Sequence, residues 1–506
     1  MPASLLDQLH NEVLHARQRV YAVRDATPIE RVDIGASAEV WVKREDIPPI
    51  HAYKWRGAFN KMATLTDAER GRGVVCASAG NHAQGVAIAA QKLGCFATIF
   101  MPLPTPLMKR QAVAMHGGAN VRIELVGDSY DDASAAARAF AKDSGAAFVH
   151  PYDDLATMGG QGTIADEVVM SGVGPFDLAY LQIGGGGMAA AVGAWLKKFM
   201  PSIRIVGVEG EGQASMKAAI DHGGPVTLDR LDIFCDGTAV RRAGDLTYAL
   251  CRDVIDQFIT VSNDEVCNAI RLFWDDRRRI VEPAGAMGLA GMLQHRDRLS
   301  GKRVLGVMCG ANMDFAQLAV IAAEAGIGGE IRRHIRFEIG EQPGAMLDLI
   351  DHALAGCNIV DFQYGKTNDQ RGHPVIGFDA PPHVIAQVHD HCQRSGIAYQ
   401  DITAHEDVDF RIVNYDPKRF RRPLMMRYEF PERPGALHEF LARISDLANV
   451  CYFNYLYTGE RIGRALVGLE FDSDADREAM LDRLATDEKL RHGYREVSPE
   501  ALSRML

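Results

Sequence analysis

A chain of 506 residues is too long for one compact core, so at least two domains are expected. Hydrophobic residues make up 47% and charged residues 24%, a mixture that excludes wholesale disorder and suits a soluble globular protein. The formal net charge of −11 argues against nucleic acid as the main partner, because a phosphate backbone asks for a basic face.

The cysteines (Cys76, Cys95, Cys235, Cys251, Cys267, Cys309, Cys357, Cys392 and Cys451) are scattered and form no C-x-x-C pair. They read as reduced thiols in a cytoplasmic protein rather than as a zinc or redox motif. The N-terminus lacks the charged flank and apolar block of a secretion signal. No uncharged apolar run is long enough to span a membrane, so no membrane association is expected.

Residues 1 to about 25 read as an amphipathic helix. Nine short apolar runs then suggest strands: Glu39–Lys43, Gly73–Ala77, Phe96–Met101, Asn120–Leu125, Ala147–His150, Asp177–Ile183, Ile203–Glu209, Phe258–Val261 and Arg303–Cys309. Their near-continuous Val and Ile content is that of strands buried on both faces. Helical stretches such as Ala83–Leu93 and Thr163–Met170 lie between them. This alternation implies an α/β domain with a parallel sheet, and ligands then bind where strand C-termini meet helix N-termini.

After about residue 325 the pattern changes. Gly326–Glu330 reads as a linker, and beyond it the chain repeats itself. R-F-E-I-G-E-Q-P-G-A-M-L at 336–347 matches R-Y-E-F-P-E-R-P-G-A-L-H at 427–438, an offset of 91 (427 − 336). The same offset aligns Ile359–Tyr364 with Val450–Tyr455. Two blocks matching at one offset indicate two small α+β units, joined by the arginine-rich Pro417–Pro423. The predicted domains are therefore 1–325, 332–407 and 422–496.

Four motifs carry the chemistry. Lys54 opens a helix after a proline-rich loop. A lone lysine is usually a solvated charge, but Tyr53 and Trp55 on either side suggest partial burial, which lowers an amine pKa and favours Schiff-base chemistry with an aldehyde. Ser78-Ala79-Gly80-Asn81-His82 sits between a strand and a helix. Its small residues permit close backbone approach, and the N–H groups of the helix N-terminus suit a carboxylate. Gly184-Gly185-Gly186-Gly187-Met188 follows a buried strand, where a nest of bare N–H groups would cradle a phosphate. No nucleotide-triphosphate loop of the G-x-x-x-x-G-K type is present. Cys309-Gly310-Ala311-Asn312 ends the last strand and alone says little.

In this order, with K-R-E-D before them and H-P-Y-D-D, G-Q-G-T and E-P-A-G-A between them, the motifs resemble fold-type II pyridoxal-phosphate (PLP) enzymes, the tryptophan synthase β-like class. The detailed strings resemble biosynthetic threonine dehydratases (threonine ammonia-lyases) over nearly the whole chain. The resemblance implies that Lys54 holds PLP and moves the substrate α-proton. Asn81 would bond the cofactor 3-hydroxyl, Ser78 through His82 would hold the substrate carboxylate, Gly184–Gly187 and Met188 would bind the phosphate, and Cys309 would face the pyridine nitrogen. Where relatives often carry serine, Cys309 is a neutral, weaker donor that leaves that nitrogen unprotonated. The implied reaction converts L-threonine to 2-oxobutanoate and ammonia, the first step of isoleucine biosynthesis, with L-serine as a second substrate. A serine-preferring dehydratase or an amino-acid racemase of the same fold is the alternative. Serine racemases carry a second serine where this chain has Ala79, which disfavours racemisation. A divalent-ion site used by such relatives follows the strand ending at Glu209; Ser215 stands where they use an acid, so no metal is expected. The C-terminal repeat resembles a pair of ACT-like regulatory domains that bind amino acids, with isoleucine inhibiting and valine opposing, and Phe362, Tyr364, Phe453 and Tyr455 near the effector. The family favours homotetramers.

Overall fold

The computed structural model describes residues 3–34, 37–47, 49–329, 331–340, 349–363, 371–405, 408, 422–431, 439–440, 443–444, 446–456 and 462–505, with only the backbone of 323, 327, 358–363, 449–456 and 505. The chain divides into two compact units, 1–325 and 326–506.

All nine strands expected before residue 310 are present, but they form two sheets rather than one. Strands Val121–Leu125, Ala97–Met101, Val74–Ala77 and Ala147–Phe148 make a four-stranded parallel sheet in that spatial order. The second sheet has six strands: Ile29–Val32, Glu39–Arg44, Arg303–Met308, Leu178–Gln182, Arg204–Gly210 and Gln257–Val261. It is parallel except for Ile29–Val32, an antiparallel edge strand that the sequence pattern did not reveal. At four residues, I-E-R-V is too short to establish a period of two.

Two-sided burial explains the apolar runs. Along Leu178–Gln182, Ala179 and Leu181 join one core cluster and Tyr180 the other. In the smaller sheet Val74 and Cys76 face one cluster and Val75 and Ala77 another. Helices cover these faces and start on local signals: Ser4 with Asp7, Ser129 with Asp132 and Ser262 with Glu265 each form a capping box.

Several boundaries moved. The N-terminal helix is Leu5–Tyr21 and stops short of the Thr27-Pro28 step, which resists helix. The helix expected at 163–170 begins at Leu155, where Asp154 caps Thr157 N–H. The expected linker at 326–330 is overtaken by the helix Gln317–Gly328, whose Leu-Ala-Val-Ile-Ala-Ala run carries it through Gly326.

The second unit contains two antiparallel sheets of matching order. One places Asn358–Gln363, Val375–Asp379, Arg332–Gly340 and Ala398–Asp401 side by side, with a fifth, two-residue strand Arg371–Gly372 also paired to Arg332–Gly340. The other places Asn449–Leu456, Ile462–Glu470, Leu424–Pro431 and Tyr494–Glu496 in the same sequence of roles. Each carries a register shift at the same site, between Ile359 and Asp361 in one and between Val450 and Tyr452 in the other. These are 91 residues apart (450 − 359), so the repeat extends to an irregularity of the ladder. Phe362, Phe453 and Tyr455 lie on these strands; Tyr364, and residues 417–421 of the arginine-rich segment, lie outside the described residues.

Candidate active site

Loops at the C-terminal ends of the parallel strands converge. The segment after Glu39–Arg44 leads to Lys54, which immediately precedes the helix Trp55–Ala63. It lies against the turn after Arg303–Met308: Tyr53 N–H donates to Cys309 O at 3.3 Å and Ala311 N–H to His51 O at 2.9 Å. The partly buried Lys54 Nζ donates to Gly237 O at 2.9 Å. The next residue of that loop, Thr238, has its backbone against Gly184, where an added Cβ would stand 2.9 Å from Thr238 O.

The glycine run is shaped from both sides. A Cβ on Gly185 would fall 2.2 Å from Tyr152 Cγ, and one on Gly187 would be 2.8 Å from Tyr152 O. Gly186 turns the chain at φ +94° to start the helix Gly187–Phe199. Gly185, Gly186 and Gly187 are buried, yet among the described residues no acceptor takes the N–H of Gly184, Gly185, Gly186 or Gly187. Buried N–H groups without acceptors are rare, and several together at a helix N-terminus fit an anion such as a phosphate. Met188 buries its side chain in the core and offers this cradle only its backbone. Gly185→Ala is expected to weaken equilibrium binding of pyridoxal phosphate about ten- to a hundredfold through overpacking against Tyr152, with the unfolding transition retained; unchanged affinity would refute the steric account.

The S-A-G-N-H string is the turn into the helix Asn81–Leu93. Ser78 Oγ accepts the Gly80 N–H at 3.2 Å, so that amide is already used. Ala79 is buried. His82 Nε2 lies 2.9 Å from Val149 O, which assigns the ring proton to Nε2 and leaves Nδ1 as an unpaired acceptor. Burial holds the imidazole neutral, its pKa pulled down to about 3. The ring therefore braces the strand end, and only the backbone N–H of His82 remains to face a carboxylate.

Asn81 is buried within a network that the motifs did not reveal. Its Nδ2 donates to Glu282 Oε1 at 2.8 Å, while Asn312 Nδ2 donates to Asn81 Oδ1 at 2.9 Å. Asn312 N–H donates to Glu282 Oε2 at 3.0 Å, closing a ring of three residues. Glu282 stands in E-P-A-G-A, just before a helix-opening proline, and a buried acid at that place was the available signal. Cys309 is buried, its thiol donating to Ala284 O at 3.6 Å. Burial, then the nearby Glu282, push this thiol up to about 12, so it is neutral. Glu209, further away, commits both carboxylate oxygens to the N–H groups of Met216 and Lys217 at 2.8 and 2.7 Å.

Behind Lys54 lies a fully buried ion cluster. Arg56 Nε and Nη2 donate to Glu45 at 2.8 and 2.9 Å, and Nη1 and Nη2 to Glu167 at 2.5 and 3.0 Å. Lys43 Nζ is 2.7 Å from Glu167 and 3.3 Å from Glu45. K-R-E-D and W-R-G-A are thus halves of one structure.

A partly buried lysine, a cradle of N–H groups without acceptors and a neutral buried thiol fit a fold-type II pyridoxal-phosphate enzyme, and residues 23–310 match the family of pyridoxal-phosphate dependent enzymes. Residues 421–502 match the C-terminal regulatory domain of threonine dehydratase. The chain is 34% identical over 482 residues to the biosynthetic L-threonine dehydratase of Haemophilus influenzae, covering 91% of each. Among solved structures, the processed threonine deaminase isoform 2 of Solanum lycopersicum superposes with a TM-score of 0.61 at 35% identity, over 64% of this chain and 95% of that one. Maize serine racemase gives 0.57 at 28% identity, over 63% and 98%. The chain belongs to the biosynthetic threonine dehydratase family.

Proposed function

We propose that this chain is a threonine ammonia-lyase that takes L-threonine, and also L-serine, to the 2-oxo acid and ammonia at the head of isoleucine synthesis. The observation that carries this reading is the convergence of Lys54 and the acceptor-free glycine N–H groups on one site.

Pyridoxal phosphate, when bound, supplies an electron sink for the carbon bearing the amino group. Lys54 would hold it, Gly184–Gly187 and the Met188 amide would take its phosphate, Asn81 its 3-hydroxyl, and Cys309 would stand toward its ring nitrogen. Ser78, with the N–H groups of Asn81 and His82, would orient the substrate carboxylate. The Lys54 amine would move the α-proton. Ala79 carries no proton donor for the other face, which favours elimination over the racemase chemistry that the related fold also hosts.

The domains 332–407 and 422–496 would bind branched-chain amino acids, isoleucine restraining and valine relieving, with Phe362, Tyr364, Phe453 and Tyr455 near the effector. In this reading the protein is a cytoplasmic homotetramer. Isoleucine must favour a state of the catalytic unit that binds threonine poorly. The test follows 2-oxobutanoate from threonine and pyruvate from serine, with and without isoleucine, in the full chain and in a chain ended after Gly328. Threonine turnover that isoleucine suppresses only in the full chain is expected. Inhibition persisting in the shortened chain would sink the regulatory assignment, and preferential pyruvate formation would make the enzyme a serine dehydratase.

A further inference from the structure

Three features place Glu282 at the centre of the site rather than at its edge. Its two oxygens each take one N–H, from Asn81 and from Asn312. The surrounding backbone is cut away for it: a Cβ on Gly310 would stand 2.1 Å from Oε1, and one on Gly237 would stand 3.3 Å away. Gly237 is also the residue whose carbonyl accepts Lys54 Nζ. We propose that Glu282 is a positioning residue for the reaction, fixing the amide of Asn81 so that its remaining N–H is aimed into the site, with a grip that depends on the charge of Glu282. The inference rests on the reading that Asn81 contacts the cofactor.

The argument is one of acceptors. Asn81 Oδ1 is occupied by Asn312, and one N–H of its Nδ2 is occupied by Glu282. The amide cannot turn over without setting its NH2 against that of Asn312, so one N–H has a fixed direction. A carboxylate accepts from both Asn81 and Asn312 N–H, and an ionised acceptor holds a donor about twice as strongly as a neutral one.

The charge of Glu282 is open to change in the neutral range. Burial first, then the Asp236 carboxylate, push its carboxyl up to about 7 against the pull of Lys54, Lys109 and the Asn81 hydrogen bond. The other titratable groups facing it are Cys309, Cys235 and Tyr53, and burial raises the pKa of all three. Lys109 is paired with Asp236. Ionised Glu282 is the gripping form, so activity should rise with pH through that point.

The experiment uses the holoenzyme and reads both turnover and the visible absorbance of the bound cofactor across the neutral pH range. Glu282→Gln supplies one acceptor where two are needed. It is expected to lower kcat between about ten- and a hundredfold through a misdirected amide, with a smaller change in KM, and to erase the absorbance change expected of wild type near neutrality. Glu282→Asp keeps the charge and should keep a pH-dependent absorbance change at a displaced midpoint. In an Asn81→Ala background, Glu282→Gln should add no further loss. The proposal is overturned by a wild type with no ionisation near neutrality, by a Gln variant that titrates as wild type does, or by losses that add in full. A wild type that binds the cofactor but leaves threonine unchanged would sink the proposed reaction instead, while the absorbance titration still judges Glu282.

Discussion

Lys54→Ala is expected to lower threonine turnover by about a thousandfold or more, the range for losing a positioned acid–base group together with covalent catalysis. The change removes the amine whose Nζ reaches Gly237 O inside the site. Among the described residues the nearby amines are engaged elsewhere: Lys109, the other lysine that acts on Glu282, is paired with Asp236, and Lys43 is locked between Glu45 and Glu167. The glycine cradle and Asn81 do not depend on the Lys54 side chain, so the variant should still bind pyridoxal phosphate, without the absorbance of a covalently held cofactor. The decisive assay follows 2-oxobutanoate beside the absorbance spectrum. Turnover within tenfold of wild type would remove Lys54 from the chemistry, whatever the spectrum.

The candidate site was legible in the sequence where the demands on the backbone are local. A lysine before a helix, small residues between a strand and a helix, and a four-glycine run after a buried strand are each set by backbone demands within a few residues. What remained hidden is set by pairs far apart in the chain. The Asn81–Glu282 and Asn81–Asn312 contacts join residues 201 and 231 positions apart, and no periodicity records such a meeting. The division into two sheets was hidden for the same reason. Each strand announced its own burial, but Glu39–Arg44 pairs with Arg303–Met308, and nothing local specifies that partner. His82 shows a subtler limit: the motif located the residue, while the contact with Val149 O decided that its ring is structural.

The ion cluster behind Lys54 gives the largest expected effect on stability. Arg56, Lys43, Glu45 and Glu167 have side chains no more than 2% exposed, and together they balance two positive against two negative charges. Arg56→Met conserves volume but leaves two buried carboxylates sharing one lysine. Breaking such a cluster by removing one partner costs about 3–5 kcal/mol, read as a lower denaturant midpoint. Arg56→Lys should fall between the two, because an ammonium cannot reproduce the forked contacts to Glu45 and Glu167. The pH dependence separates lost charge from lost packing. Burial alone would raise the Glu45 pKa, but Arg56 and Lys43 outweigh it and hold the carboxyl below its usual value. A depressed carboxylate stabilises the fold above its unfolded pKa, and that contribution is lost as pH falls through the folded value. Wild type should therefore lose stability on acidification, while in Arg56→Met a carboxylate stripped of its partner gains by taking up a proton. The gap between the two proteins should narrow as pH drops through the carboxylate range. A gap that stays constant with pH would mean that Arg56 acts by filling space. The cluster would then be a packing device that happens to be charged, and the K-R-E-D and W-R-G-A strings would owe their pairing to shape.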